Sequence, residues 1–201
     1  MNGTKKIPMM GLVALSLLIV HASVALAGTE KFDEQMQPVL KAYLEIPTAL
    51  AADRTGGVKE AAKKIKKLTA GLDPSTVTGE HAGHYKDIPK NLAAAAERMM
   101  KAKDIAAMRE ALKDLSKPMA MWATMSRPEG VNVVYCSMAP GSWLQRGTAV
   151  ANPYYGAKMP RCGEIVAGPG SEKSGKANRP GGMHDMKGKK SRPGMHGGKG
   201  H

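Results

Sequence analysis

The sequence predicts an all-α protein: an up-down four-helix bundle, then a small Cys/Met-containing module that is irregular or built of short strands, then a disordered tail. Three observations carry that expectation. Hydrophobic residues make up 42% of the 201, but aromatics only 4%, with a single Phe. A core of Ala, Leu, Ile, Val and Met suits packed helices, whereas sandwiches and barrels draw on β-branched and aromatic side chains. Between residues 30 and 128 the apolar positions recur at the three-four spacing of a helical face. The composition then changes twice, near residues 129 and 168.

The first 27 residues read as an export signal. Lys5 and Lys6 precede a mostly apolar run from Ile7 to Val20, and Ala25-Leu26-Ala27 is a small-x-small cleavage site before Gly28. The run is too short for a spanning helix, which needs about 20 apolar residues. No later segment is long and apolar enough to span. The expected mature protein is soluble, exported and periplasmic, with residues 28–128 as the bundle, 129–167 as the Cys/Met module and 168–201 as the tail.

In the first helix Phe32, Met36, Val39, Leu40, Tyr43 and Leu44 share a face. It stops near Ile46-Pro47 or runs on to Ala52, and Asp53-Arg54-Thr55-Gly56-Gly57 is the turn. In the second, Val58, Ala61, Ala62, Ile65 and Leu68 face inward, and Gly71 and Asp73-Pro74 end it. The third covers roughly Lys86–Lys101. The fourth begins near Lys103-Asp104, carries Ile105, Met108, Leu112, Leu115, Met119 and Trp122, and is expected to kink at Pro118. Short connections favour antiparallel neighbours.

The formal charge of +13 invites a nucleic-acid reading. An export signal argues against it. Lys63, Lys64, Lys66 and Lys67 lack nearby aromatic stacking partners and read as a solvated helix face. The methionines at 99, 108, 119 and 125 stand at core spacing, where Met is an adaptable packing residue.

Residues 131–166 differ from the helices. Val131–Tyr135 reads as a short strand, and Gly141, Gly147, Asn152-Pro153 and Gly156 mark turns. Four sulfur side chains form two clusters, Cys136-x-Met138 and Met159-x-x-Cys162. Mixed thiolate and thioether donors select monovalent copper or silver over harder ions. The competing reading is a Cys136–Cys162 disulfide, because exported chains with an even cysteine count usually pair them. Such a bridge would contribute roughly 3–4 kcal/mol by the chain-entropy argument. A structural disulfide does not require the adjacent methionines, which favours metal. The two readings are compatible if the pair oxidises when metal is absent.

Tyr135-Cys136-Ser137-Met138-Ala139, Trp143-Leu144, Asn152-Pro153-Tyr154-Tyr155-Gly156, Met159 and Cys162-Gly163 together resemble the domain of unknown function 3347 family of bacteria. Tyr43-Leu44 with Ala49-Leu50-Ala51-Ala52-Asp53 resembles its opening helix, so the likeness covers about residues 35–166. Family members occur as separate secreted proteins and as domains on periplasmic adaptor subunits of heavy-metal efflux pumps. The resemblance implies a helical bundle linked to copper or silver handling. Two positions depart from the family pattern: Ser137 stands where Pro is usual, and Pro160 where an aliphatic residue is usual.

The tail holds further donors. Met183, His184 and Met186 fall within four residues, followed by Met195, His196 and His201. Thioethers suit monovalent copper, and imidazoles suit divalent copper, nickel or zinc. His81 and His84 form a weaker pair in the linker before the third helix, since divalent-metal His pairs normally need a third ligand.

The expected function is non-enzymatic: a periplasmic protein that sequesters or delivers Cu(I) or Ag(I), with a periplasmic efflux adaptor as a partner implied by the resemblance. Cys136, Met138, Met159 and Cys162 are the expected ligands. The alternative is a structural or interaction module closed by the disulfide, with Trp143, Tyr154 and Tyr155 at an interface. An enzyme is disfavoured. There are no paired carboxylates at a motif, no Ser/His/Asp arrangement and no phosphate loop, and the cysteines are wider apart than a reductase pair.

Overall fold

α1 runs from Glu30 to Ala51 through both Pro38 and Pro47, so the longer of its two expected extents is the one adopted. An interior proline costs about 3 kcal/mol or more. Burial offsets that cost: Val39, Leu40, Tyr43, Ile46 and Leu50 are all at most 2% exposed, and each fully buried large apolar side chain contributes roughly 1.5–3 kcal/mol. These positions belong to a computed structural model that describes residues 28–171. The expected signal peptide and the Met/His positions of the tail lie outside the described residues.

α2 spans Val58–Thr69 and buries Val58, Ala61, Ala62 and Ile65. Lys63, Lys64, Lys66 and Lys67 are exposed, as expected of a solvated face, and Lys66 pairs with Glu97 of the next long helix. After one 3-10 turn at Pro74–Thr76, the one-turn helix α3 spans Ala82–Tyr85. The sequence had assigned this stretch to a linker. A four-residue helix is too short to show a periodic stripe; its anchor is Tyr85, 1% exposed, whose ring meets Phe32 edge-on at 5.3 Å. α4 spans Ile88–Lys101, with Pro89 in its first turn where a missing N–H is tolerated.

α5 spans Ile105–Ser126. The Ala107 amide donates to the Asp104 carboxylate at 2.8 Å, capping its start. It continues unbroken through Pro118, which is itself buried, and closes on Arg127 in the left-handed region. Met99, Met108 and Met119 are core residues. Trp122 Nε1 and Ser126 Oγ both donate to Asp33 Oδ1, at 2.7 and 2.5 Å, tying α5 to α1. α1 packs on α2, α2 on α4, α4 on α5, and α1 also touches α5. Among the described residues no helix is long and apolar enough to cross a membrane.

The all-α expectation falls short after residue 130. β1 (Val131–Cys136), β2 (Gly141–Arg146) and β3 (Glu164–Ala167) form an antiparallel sheet in the order β2-β1-β3. Only the first strand was legible. Gly141, expected in a turn, opens β2 opposite Cys136. β3 is four residues long and gains its partner only across a long loop. Gly168–Ser171 also departs from the expected tail boundary. The Gly170 amide donates to Asn132 Oδ1 at 2.8 Å, because Asn132 is 1% exposed and its carbonyl needs a donor. The sheet rests on the bundle through Tyr43, whose hydroxyl lies 2.6 Å from Ser116 Oγ and accepts the Leu144 amide at 3.2 Å. Burial pushes the Tyr43 phenol up to about 12.

Candidate metal centre

The two cysteines come together from the end of β1 and from the turn before β3. Cys136 is the last residue of β1 and is 1% exposed. Strand alternation and the Val134–Trp143 pairing put Cys136, Val134 and Trp143 on one face of the sheet. The loop from Gly147 to Gly163 covers that face. It delivers Cys162, half-buried, with its Sγ 2.9 Å from Cys136 Sγ. Both residues are free thiols. The separation exceeds the ~2.05 Å of a disulfide bond, so the pair is in contact and not bridged.

The loop is held by Asn152, which is fully buried. Its Nδ2 donates to the Cys162 carbonyl at 2.6 Å, and its Oδ1 accepts the Tyr154 and Tyr155 amides at 2.8 and 3.2 Å. Its own amide donates to the Pro160 carbonyl at 2.9 Å. Tyr154 stands edge-on to Trp143 at 5.8 Å and donates its hydroxyl to the Ser142 carbonyl. Gly163 has φ +148°, and a Cβ there would lie 2.5 Å from the Trp143 ring, so the residue after Cys162 must be glycine.

A second strut joins the loop to the bundle. Arg109 on α5 donates to the Pro153 carbonyl at 2.9 Å and the Leu50 carbonyl at 3.0 Å, and pairs with Asp53. The Asp53 carboxylate accepts the Ala157 amide at 2.9 Å. That amide and the Arg109 guanidinium hold the Asp53 carboxyl below its ordinary value. Gly156, with φ +55°, lies against these two side chains, and a Cβ would collide with both.

The thiols are electrostatically unequal. Burial pushes the Cys136 thiol up, but hydrogen bonds outweigh it: the Cys162 thiol, the Ala139 and Met138 amides and the Asn152 side chain all donate toward its sulfur, and its pKa falls below the ordinary thiol value. Cys162 moves the other way, first because it is the donor to Cys136 and then through burial. The opposite directions make Cys136 the more acidic thiol of the pair.

The expected methionines meet this centre through their backbones. Met138 directs its amide at Cys136, accepts the Tyr155 hydroxyl on its carbonyl at 2.9 Å, and leaves its side chain 62% exposed. The Met159 carbonyl accepts the Cys162 amide at 3.3 Å, and its side chain is half-buried. Among the described residues no three His, Cys, Asp or Glu side chains gather into a metal-sized group. His81 and His84 have each other, with ring centroids 6.1 Å apart, but no third ligand of those types. Met183, His184, Met186, Met195, His196 and His201 lie outside the described residues. Asn152, Asp53 and Arg109 brace the centre without being among the expected site residues. Asn152 and Asp53 stand in turns and read as turn residues; Arg109 carries no local motif.

No curated protein and no solved structure matches the chain. A family model does match, over residues 39–129, with the description "Protein of unknown function (DUF3347)". The matched segment covers most of α1 and all of α2 to α5, and ends before β1 and both cysteines. Through that helical segment the chain is similar to the DUF3347 family, the family that its sequence resembles.

Proposed function

We propose that this protein binds a monovalent soft metal ion, Cu(I) or Ag(I), at the Cys136–Cys162 pair, and sequesters or delivers it without catalysing a reaction. The observation that carries the reading is two free cysteine sulfurs 2.9 Å apart, one of them at the end of the sheet's central strand. Thiolate sulfur is the ligand type such ions prefer, and thioethers add softness without charge. Two thiolates on one ion, at bonds of about 2.3 Å and a trigonal angle, sit about 4 Å apart. The sulfurs must therefore separate by about 1 Å. Cys162 supplies that movement, since it lies in a half-buried turn while Cys136 is fixed in β1 by amides. Binding displaces thiol protons, so affinity rises with pH. Met138 and Met159 complete the shell from the exposed side. In the same reading the four long helices run up and down, the chain is exported to the periplasm, the tail catches ions, and a periplasmic efflux adaptor receives them.

The 2.9 Å contact also favours a second reading, in which the pair closes to a disulfide and the sheet serves as an interaction module. Anaerobic Cu(I) titration of the reduced chain from Gly28 onward separates the two. Under the metal reading, replacing Cys136 and Cys162 by Ser removes the tightest Cu(I) equivalent, Met138→Leu with Met159→Leu weakens it at unchanged melting temperature, and X-ray absorption reports sulfur ligands. If the serine pair changes stability and the leucine pair leaves Cu(I) binding untouched, the disulfide reading stands and the metal reading falls.

A further inference from the structure

α3 and α5 bring four neutral metal-ligand side chains to a single cavity on the other face of the sheet. His81 and His84 stand three apart at the start and middle of α3, and Met121 and Met125 stand four apart on α5; both spacings put a pair on one helical face. All four line an open cavity of about 510 Å³, floored by Val133 and Ser142 of the sheet. The histidines are exposed and the methionines half-buried. Met121 and Met125 pack against the core from its rim, while Met119 and Trp122 on the same helix are fully buried inside it. α3 is seated on α5 by the Tyr85 and Ser126 hydroxyls at 3.1 Å.

We infer that His81, His84, Met121 and Met125 form a second copper site, one that takes Cu(I) in an imidazole–thioether shell and is separate from the cysteine pair. The ring separation fits a shared ion. An imidazole nitrogen bonds copper-group ions at about 2.0–2.1 Å, by the zinc value. With the ring radius added, two imidazoles on one ion have centroids about 5 Å apart at a tetrahedral angle and about 6 Å apart near linearity. The observed 6.1 Å matches the near-linear arrangement, with the rings tilted by 39°. Zinc and nickel find only two suitable donors here, whereas two added thioethers suit the monovalent ion. All four donors are neutral, so this site holds its ion more weakly than a thiolate pair does. Val133 and Cys136 are an odd number of residues apart on β1, so the two sites lie on opposite faces of the strand. The inference does not rest on the cysteine reading.

The test uses the chain from Gly28 to His201 with Cys136→Ser and Cys162→Ser, titrated anaerobically with Cu(I) against a chromophoric competitor. Adding His81→Asn and His84→Gln should remove one equivalent of bound Cu(I). Adding Met121→Leu and Met125→Leu instead should weaken one equivalent at least tenfold. An unchanged number of ions in the histidine variant overturns the site. So does a leucine variant that keeps its Cu(I) affinity. Fold loss is controlled on the wild-type chain by NMR: one site filling with Cu(I) should shift the His81 and His84 ring protons and the Met121 and Met125 methyls together. Ring shifts with unmoved methyls overturn the thioether ligation.

Discussion

The helical segment and the sheet module are held together by different physics. From Glu30 to Ser126 the fold rests on apolar side chains repeated at helical spacing. Leu92, Leu112, Leu115 and Ile65 are fully buried, and each has many similar neighbours to share the work. From Val131 to Ser171 buried Val134, Trp143 and Leu144 still pack, but single polar residues with no substitute fix the loop. Asn132 and Asn152 are buried and nearly every polar atom they carry has a named partner. Gly156 and Gly163 occupy positions that no side chain can enter. Redundant apolar packing gives stability that degrades gradually. Singular polar struts give a fixed geometry for two sulfurs and little tolerance for change.

The comparison can be broken most directly in the bundle. Leu115→Ala should cost about 2–5 kcal/mol of unfolding free energy, since a fully buried leucine is replaced by a cavity. Denaturant melts read the loss. The reactivity of the cysteines in the folded state should not change, and a change would mean that the module is not held by its own polar contacts. Asn152→Ala should cost less globally, about 1–3 kcal/mol for a buried group left without its partner, but act more strongly on the module. It strands the Tyr154 and Tyr155 amides and withdraws a donor from Cys136. The Cys136 thiol should titrate higher, and thiol alkylation should accelerate as the loop opens. Native-like alkylation would remove Asn152 from the argument.

The smallest effect is expected at the seam. Asp53 has its carboxyl depressed by the Ala157 amide and Arg109. A depressed carboxyl contributes stability above its unfolded pKa and loses it as pH falls through the folded value. Asp53→Asn should therefore lower the melting temperature slightly at neutral pH, with the gap from wild type closing below about pH 4. A gap that persists into stronger acid would show that Asp53 acts by packing and not by charge.

The helices were legible because their information is local. Phe32, Met36, Val39 and Tyr43, or Met108, Leu112, Leu115 and Met119, declare a face by spacing alone. Asp104 declares a start by capping the Ala107 amide. α3 escaped because one turn has no period, and β2 escaped because Gly141 reads as a turn until Cys136 is placed opposite it. The sulfur types and their two clusters were legible as chemistry.

Sequence by itself determined the donor types, the helical faces and the change of composition that sets residues 131–166 apart, because each is a property of neighbours in the chain. Tertiary structure alone decided that Cys136 and Cys162, 26 residues apart, meet at 2.9 Å. It also decided which of them is the more acidic, that Asp53 and Arg109 brace their loop from the bundle, and that His81 and His84 line one cavity with Met121 and Met125. Each of these depends on distance through space. Hydrogen bonding and metal ligation act over a few ångströms, and only packing brings residues so distant in sequence within that range.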